Sequence, residues 1–252
     1  MRGRALAACL ALLGLWAGLA HGREPPPVRG WLTQVDGVRV LYAWGTPRDR
    51  GFAHGVLLRD AIIEVVDQYA VARIGAGPYG VARALVGGTA TVSPALRAEA
   101  EGLVAGLREA GGAQIPRLGR ALDATDVLVL QAYTELAAVG CSSVSVWGAH
   151  SADGQARLVR NLDWSDAPAL LRNQVVFVWA GEGMAQPLVS VGFAGYLGCL
   201  SCVSAAGTGA FFNMGYGQGA ARPWGLLKGF TPANLLLREA LAQGDVDGDG
   251  DV

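Results

Sequence analysis

The residues able to do chemistry here are notable first for their scarcity. Histidine occurs three times, at His21, His54 and His150, and cysteine four times, at Cys9, Cys141, Cys199 and Cys202. A Ser-His-Asp or Cys-His enzyme needs a histidine held beside its nucleophile. His54 opens a helical stretch, and His150 lies beside a turn at the far end of the run that begins at Cys141. No Gly-x-Ser-x-Gly elbow is present. Gly75-Ala-Gly77-Pro-Tyr-Gly80 has dinucleotide-loop spacing, but it follows a helical pattern rather than a strand and so does not support a nucleotide site. Cys141 has better company. Folding a hairpin about Asp153-Gly154 sets Ser145 and Val146 opposite Arg160, and Cys141 roughly opposite Asp163 and Trp164. A thiol must lose its proton to attack, and neighbouring positive charge favours that loss. A chain start made by cleavage before Cys141 supplies an α-amine titrating near about 7.7–8.0. That amine can accept the thiol proton, which dispenses with histidine.

The elements expected to carry these groups change in character along the chain. Residues 31–44 read as a hairpin turning at Asp36-Gly37. Helical spacing runs from Ala53 to about Gly75, then from Ser93-Pro94 to Gly111, then from about Asp123 to Val139, the last apolar enough to be buried. After Gly140 the pattern becomes strand-like: 142–149, 156–162, 174–179, 187–193 and 209–213. Thr231-Pro232 opens a closing amphipathic helix that ends at Gly244. Helices followed by a run of strands indicate α+β, with helices layered on an antiparallel sheet.

Composition narrows the class. In 252 residues, 52% are hydrophobic and 16% charged, which supplies a substantial core and excludes global disorder. A net charge of −1 gives no electrostatic footprint for nucleic acid. Arg2 and Arg4 precede the apolar run 5–20, and Ala20-His21-Gly22 offers small residues at signal-peptidase spacing, so residues 1–22 read as a secretory signal. That run is too short for a membrane span. Export implies an oxidising compartment, in which Cys199-Leu-Ser-Cys202 can close a small disulfide. A zinc site there lacks a second Cys/His pair, and a redox role lacks the helix-opening βαβ setting. Cys141 remains unpaired.

Three segments together resemble the N-terminal nucleophile (Ntn) hydrolases: Gly140-Cys141-Ser142-Ser143-Val144, Arg160-Asn161-Leu162-Asp163-Trp164 and Phe212-Asn213-Met214-Gly215. The resemblance is to the isopenicillin N acyltransferase family, with bile salt hydrolases, penicillin V acylases and acid ceramidase as relatives. Arg50-Gly51-Phe52-Ala53-His54-Gly55 is similar to an element of the acyltransferase branch. The likeness covers roughly residues 40–243. It implies an αββα Ntn sandwich preceded by a mostly helical segment, and autocatalytic cleavage between Gly140 and Cys141. It also implies a Cys141 acyl-enzyme, Asp163 holding the new α-amine, Arg160 supporting thiolate and substrate, and Asn213 donating to the oxyanion. No metal or organic cofactor is implied for catalysis, and the substrate is a small amide or peptide carrying an acyl group. Trp164, Phe193, Tyr196 and Phe211 are candidates for an acyl pocket. The expected organisation is a signal (1–22), a helical pro-segment or α-chain (23–140), a β-chain portion (141–243) and a tail (244–252), with processed α and β chains staying associated.

The tail points elsewhere. Asp245, Asp247, Asp249 and Asp251, with Gly250 at loop position six, follow the calcium-loop pattern of an EF-hand or dockerin-like module. The loop stops at its eighth position, short of the glutamate at twelve, so weak calcium binding or a solvated acidic tail is expected. The same stop suggests a sandwich incomplete at its C-terminal end. The alternative to an enzyme is therefore a non-catalytic secreted module that binds calcium or a partner.

Overall fold

Asp36 and Gly37 both adopt positive φ, 49° and 82°, the backbone that a two-residue hairpin turn requires. They join β1 (Gly30–Val35) to β2 (Val38–Ala43) with Val35 paired to Val38. The computed structural model describes residues 26–136, 140–213 and 227–243. The signal segment, the Met214-Gly215 end of the third motif, and Asp245, Asp247, Asp249 and Asp251 lie outside the described residues.

The molecule is α+β. Among the described residues, β3 (Gln114–Ile115) pairs with β4 (Arg120–Ala121), β5 (Gly140–Gly148) with β6 (Gly154–Asp163), and the main sheet has six strands in the order β1-β2-β7-β8-β9-β10, where β7 is Gln174–Trp179, β8 Leu188–Phe193, β9 Ser201–Ser204 and β10 Gly209–Phe211. Every pairing is antiparallel except β2 with β7, where Leu41 lies beside Phe177 in parallel. Residues on both sides of Gly140 therefore build one sheet. One sheet face is buried through Leu41, Ala43, Val175, Phe177, Trp179 and Leu188 against the helices. The opposite face leaves Val189, Val191 and Val203 exposed.

Helix α1 (Pro47–Leu57) begins earlier than its apolar spacing suggests, because Thr46 and Asp49 form a capping box and Pro47 takes the first turn. It ends at Leu58, and α2 (Arg59–Glu64) runs on through a π-helical stretch, Val65–Val71, to Ile74. The expected single helix from Ala53 to Gly75 is thus broken. Helix α3 (Ala76–Thr89) was not legible; Gly75, at φ 81°, punctuates the chain before it. Helix α4 (Pro94–Glu109) is capped by Ser93, and α5 (Ala124–Gln131) by Asp123. A short α6 (Tyr133–Leu136) follows, and α8 (Ala233–Gln243) closes the described chain after α7 (Pro168–Leu171).

Two glycine pairs let α1 and α4 touch backbone to backbone. A Cβ on Gly51 would stand 1.9 Å from the Glu99 carbonyl oxygen, and one on Gly55 2.1 Å from that of Leu103. The reciprocal positions Gly102 and Gly106 leave 2.2 Å each. Only glycine fits at such a crossing.

Candidate active site around Cys141

A separate two-stranded ladder carries the candidate nucleophile. Strand β5 (Gly140–Gly148) pairs antiparallel with β6 (Gly154–Asp163). Its register differs from the sequence expectation: Ser143 faces Arg160, Cys141 faces Leu162, and Gly140 faces Asp163. An irregularity between Val146 and Gly148, and a loop over 149–153, take up residues that a tight turn at Asp153-Gly154 leaves in the ladder. Asp153 holds that loop by accepting from Arg157, with both Nη atoms at 2.7 Å.

The register sorts the site onto two faces, because directly paired residues share a face and neighbours alternate. Cys141, Ser143, Arg160 and Leu162 point one way, and Gly140, Asn161 and Asp163 the other. Arg160 and Asp163 are accordingly not an ion pair among the described residues. The inner face lies over β9 and β10, where Leu158 packs on Gly209.

Arg160 is the centre of the arrangement. Its Nη2 donates to Cys141 Sγ at 2.9 Å and to the Phe212 carbonyl at 2.5 Å, and its Nη1 donates to Ser201 Oγ at 3.3 Å. Among the described residues the Arg160 Nε is buried without a hydrogen-bond partner. No carboxylate pairs with this guanidinium among the described residues, so its charge faces the half-buried Cys141 sulfur. On the opposite face the Asp163 carboxylate accepts from Asn161 Nδ2 at 2.6 Å. A Cβ placed on Gly140 would lie 3.3 Å from Asp163 Cβ and 3.7 Å from Oδ2. Asp163 thus stands beside the Gly140–Cys141 peptide rather than beside the thiol.

Asn213 follows Phe212 directly and donates from Nδ2 to Ser143 Oγ at 2.8 Å. Ser143 stands two residues from Cys141 on the same face. Cys141, Arg160 and Asn213 therefore come together, and Asp163 joins them from the other side of β5. Ser143, Ser201 and the Phe212 carbonyl were missed by sequence reading. Ser143 had a signal, its place two residues from the cysteine in a strand; the other two depend on tertiary contact.

Three of the four aromatics named for an acyl pocket pack against one another. Trp164 stands edge-on to Phe193 and to Tyr196, with centroids 5.7 and 5.8 Å away. Its indole N–H donates to the Tyr69 hydroxyl. Phe193 and Tyr196 are buried, and burial, with the charge of Glu135, pushes the Tyr196 phenol well above its ordinary range. Phe211 is apart from them, lining a groove of about 240 Å³ with Leu158, Val189, Val191, Ser201 and Val203.

His54 is a structural residue. It is fully buried against the stacked rings of Phe177 and Trp179, and its Nε2 accepts from the Gly195 N–H at 3.0 Å. Burial first, and the Arg238 charge second, push its imidazole down to about 3, so the ring is neutral. Arg50 donates to the Gly45 and Glu182 carbonyls, both at 2.9 Å, and its Nε approaches Glu99 at 3.5 Å. Glu99 also accepts two bonds from Arg238. In this structure the Arg50–Gly55 motif thus serves helix packing and a buried charge network. His150 is exposed in the hairpin loop.

Cys199 and Cys202 form a disulfide with Cα atoms 5.7 Å apart, and among the described residues Cys141 is the free thiol. Among the described residues no three His, Cys, Asp or Glu side chains cluster to hold a metal ion, and no helix is long and apolar enough to cross a membrane. No protein-family model matches this chain, and no curated protein does.

Proposed function

We propose that the chain is an exported cysteine amidohydrolase or acyltransferase of the N-terminal nucleophile type, similar to the isopenicillin N acyltransferase family and built as part of an αββα sandwich. The observation that carries this reading is the 2.9 Å contact from Arg160 to Cys141 Sγ, with Asp163 set beside the peptide that precedes Cys141. Cleavage of the Gly140–Cys141 bond leaves an α-amine on the Asp163 side of β5. The thiol proton passes to that amine as the sulfur attacks a substrate amide carbonyl. Arg160 meets the developing thiolate, and Asn213 leaves Ser143 Oγ to donate to the oxyanion. The tetrahedral intermediate collapses to a Cys141 thioester as the α-ammonium protonates the departing amine. Water, or a second amine in the transferase case, then releases the acyl group. The groove lined by Phe211 gives that group an apolar surface beside Ser201. Because β1 and β2 precede the cleavage point and β7 to β10 follow it, the two products stay associated through shared strands.

Trapping tests the reading. Incubation with activated acyl esters and quenching in acid should add one acyl mass to the peptide that begins at Cys141, and none in C141A. Acylation absent from Cys141 under conditions where the protein hydrolyses an amide contradicts it.

A further inference from the structure

The guanidinium that faces the nucleophile is itself aimed by a small covalent loop. Apart from Cys141, the Arg160 side chain has two acceptors among the described residues, Ser201 Oγ and the Phe212 carbonyl. Ser201 lies inside the Cys199–Cys202 disulfide. Phe212 is tied to the same loop, since its N–H donates to the Leu200 carbonyl at 2.9 Å. The β9–β10 register adds Phe211 opposite Ser201 and Ala210 opposite Cys202. The other end of the loop is equally held: the Cys199 N–H donates to the Asn234 carbonyl at 2.8 Å, and Gln131 Oε1 accepts from the Leu197 and Gly198 N–H groups. Arginine side chains carry large rotamer freedom, so a fixed Nη2 position needs acceptors that do not move.

We infer that Ser201 is a positioning residue for Cys141, acting through Arg160, and that the Cys199–Cys202 disulfide is the brace that fixes it. The inference rests on the reading of Cys141 and Arg160 given above. It adds a condition to that reading. Such a disulfide persists in an oxidising compartment and opens in a reducing one, so the geometry around Cys141 is complete only where the brace is closed. Opening it by a dithiol moves two electrons and two protons onto the Cys199 and Cys202 sulfurs, while the dithiol closes to its own disulfide.

The test uses the full secreted chain and follows the rate at which iodoacetamide alkylates Cys141, read by mass spectrometry of its peptide, together with the melting temperature. S201A should slow alkylation about tenfold, the effect of losing roughly 1.4 kcal/mol of stabilisation. S201T, which keeps the hydroxyl, should restore the rate; loss of packing alone does not predict that rescue. The C199A/C202A double variant should slow alkylation to a similar extent. Parental rates in S201A, or equal slowing in S201A and S201T, overturn the inference, as do parental rates in a folded double variant. R160A separates the two levels. If R160A alkylates at the parental rate, the reading of Cys141 with Arg160 fails; if R160A is slow while S201A is not, only the brace fails.

Discussion

Substituting Gly51 by alanine places a methyl group where α1 meets α4. That carbon would stand 1.9 Å from the Glu99 carbonyl oxygen, while carbon and its neighbours rest roughly 3.5 Å apart or more. The helices must part by more than about 1 Å, and three more glycines at the same crossing, Gly55, Gly102 and Gly106, leave no slack. Overpacking of this kind costs about 1–3 kcal/mol or more, offset by the roughly 1 kcal/mol that alanine gains over glycine inside a helix. Because the methyl meets backbone atoms of Glu99 and Leu103 rather than a flexible side chain, the upper end applies, and the net expectation is a loss of about 2 kcal/mol. At about 2–4 °C per kcal/mol for a chain of this size, the melting temperature should fall by about 4–8 °C. Gly80 in α3 provides the opposite sign, because a Cβ there meets nothing within 4 Å. G80A should raise the midpoint by about 2–4 °C. Differential scanning calorimetry of the three proteins reads both effects. A G51A midpoint at or above the parental one refutes the close crossing and, with it, the packing role assigned to the Arg50–Gly55 motif.

Three further expectations concern charge and chemistry. His54 takes a proton near 6.5 when unfolded but only near about 3 when folded. Stability present above pH 6.5 should therefore be lost as pH falls toward 3, with a slope of up to about 1.4 kcal/mol per pH unit. H54N should show a flatter urea midpoint over that range, and an unchanged slope would show the histidine to be uninvolved. E99Q leaves Arg50 and Arg238 buried with no carboxylate between them and should cost about 3–5 kcal/mol in denaturant titrations; a loss below about 1 kcal/mol contradicts the buried network. N213A should lower kcat about 10²–10³-fold in steady-state assays, and a parental kcat removes Asn213 from the oxyanion role.

Much of the fold was legible because local signals agreed with it. Asp36-Gly37 announced the hairpin, Ser93-Pro94 and Asp123 announced helix starts, and β7 begins and ends where its apolar run does. Helix α3 was obscured by glycines 75, 77 and 80 and Pro78, and β9 is only four residues long beside the disulfide. In the candidate site, the nearness of Arg160 to the strand that begins at Cys141 was legible from residue type and spacing, yet the register was misjudged. A turn signal at Asp153-Gly154 does not reveal the irregularity near Trp147, and a shifted ladder changes which residues are partners. Ser201 reaches Arg160 from 41 residues further along the chain, through a contact that no local pattern encodes.

One determination bears most directly on the central claim. The protein expressed from its full sequence should be sequenced from the N-terminus of each of its fragments, alongside C141A. Two fragments are expected, one of them beginning at Cys141, with C141A remaining a single chain across that position. An uncut Gly140–Cys141 bond in protein that nonetheless turns over amide substrate would contradict the claim.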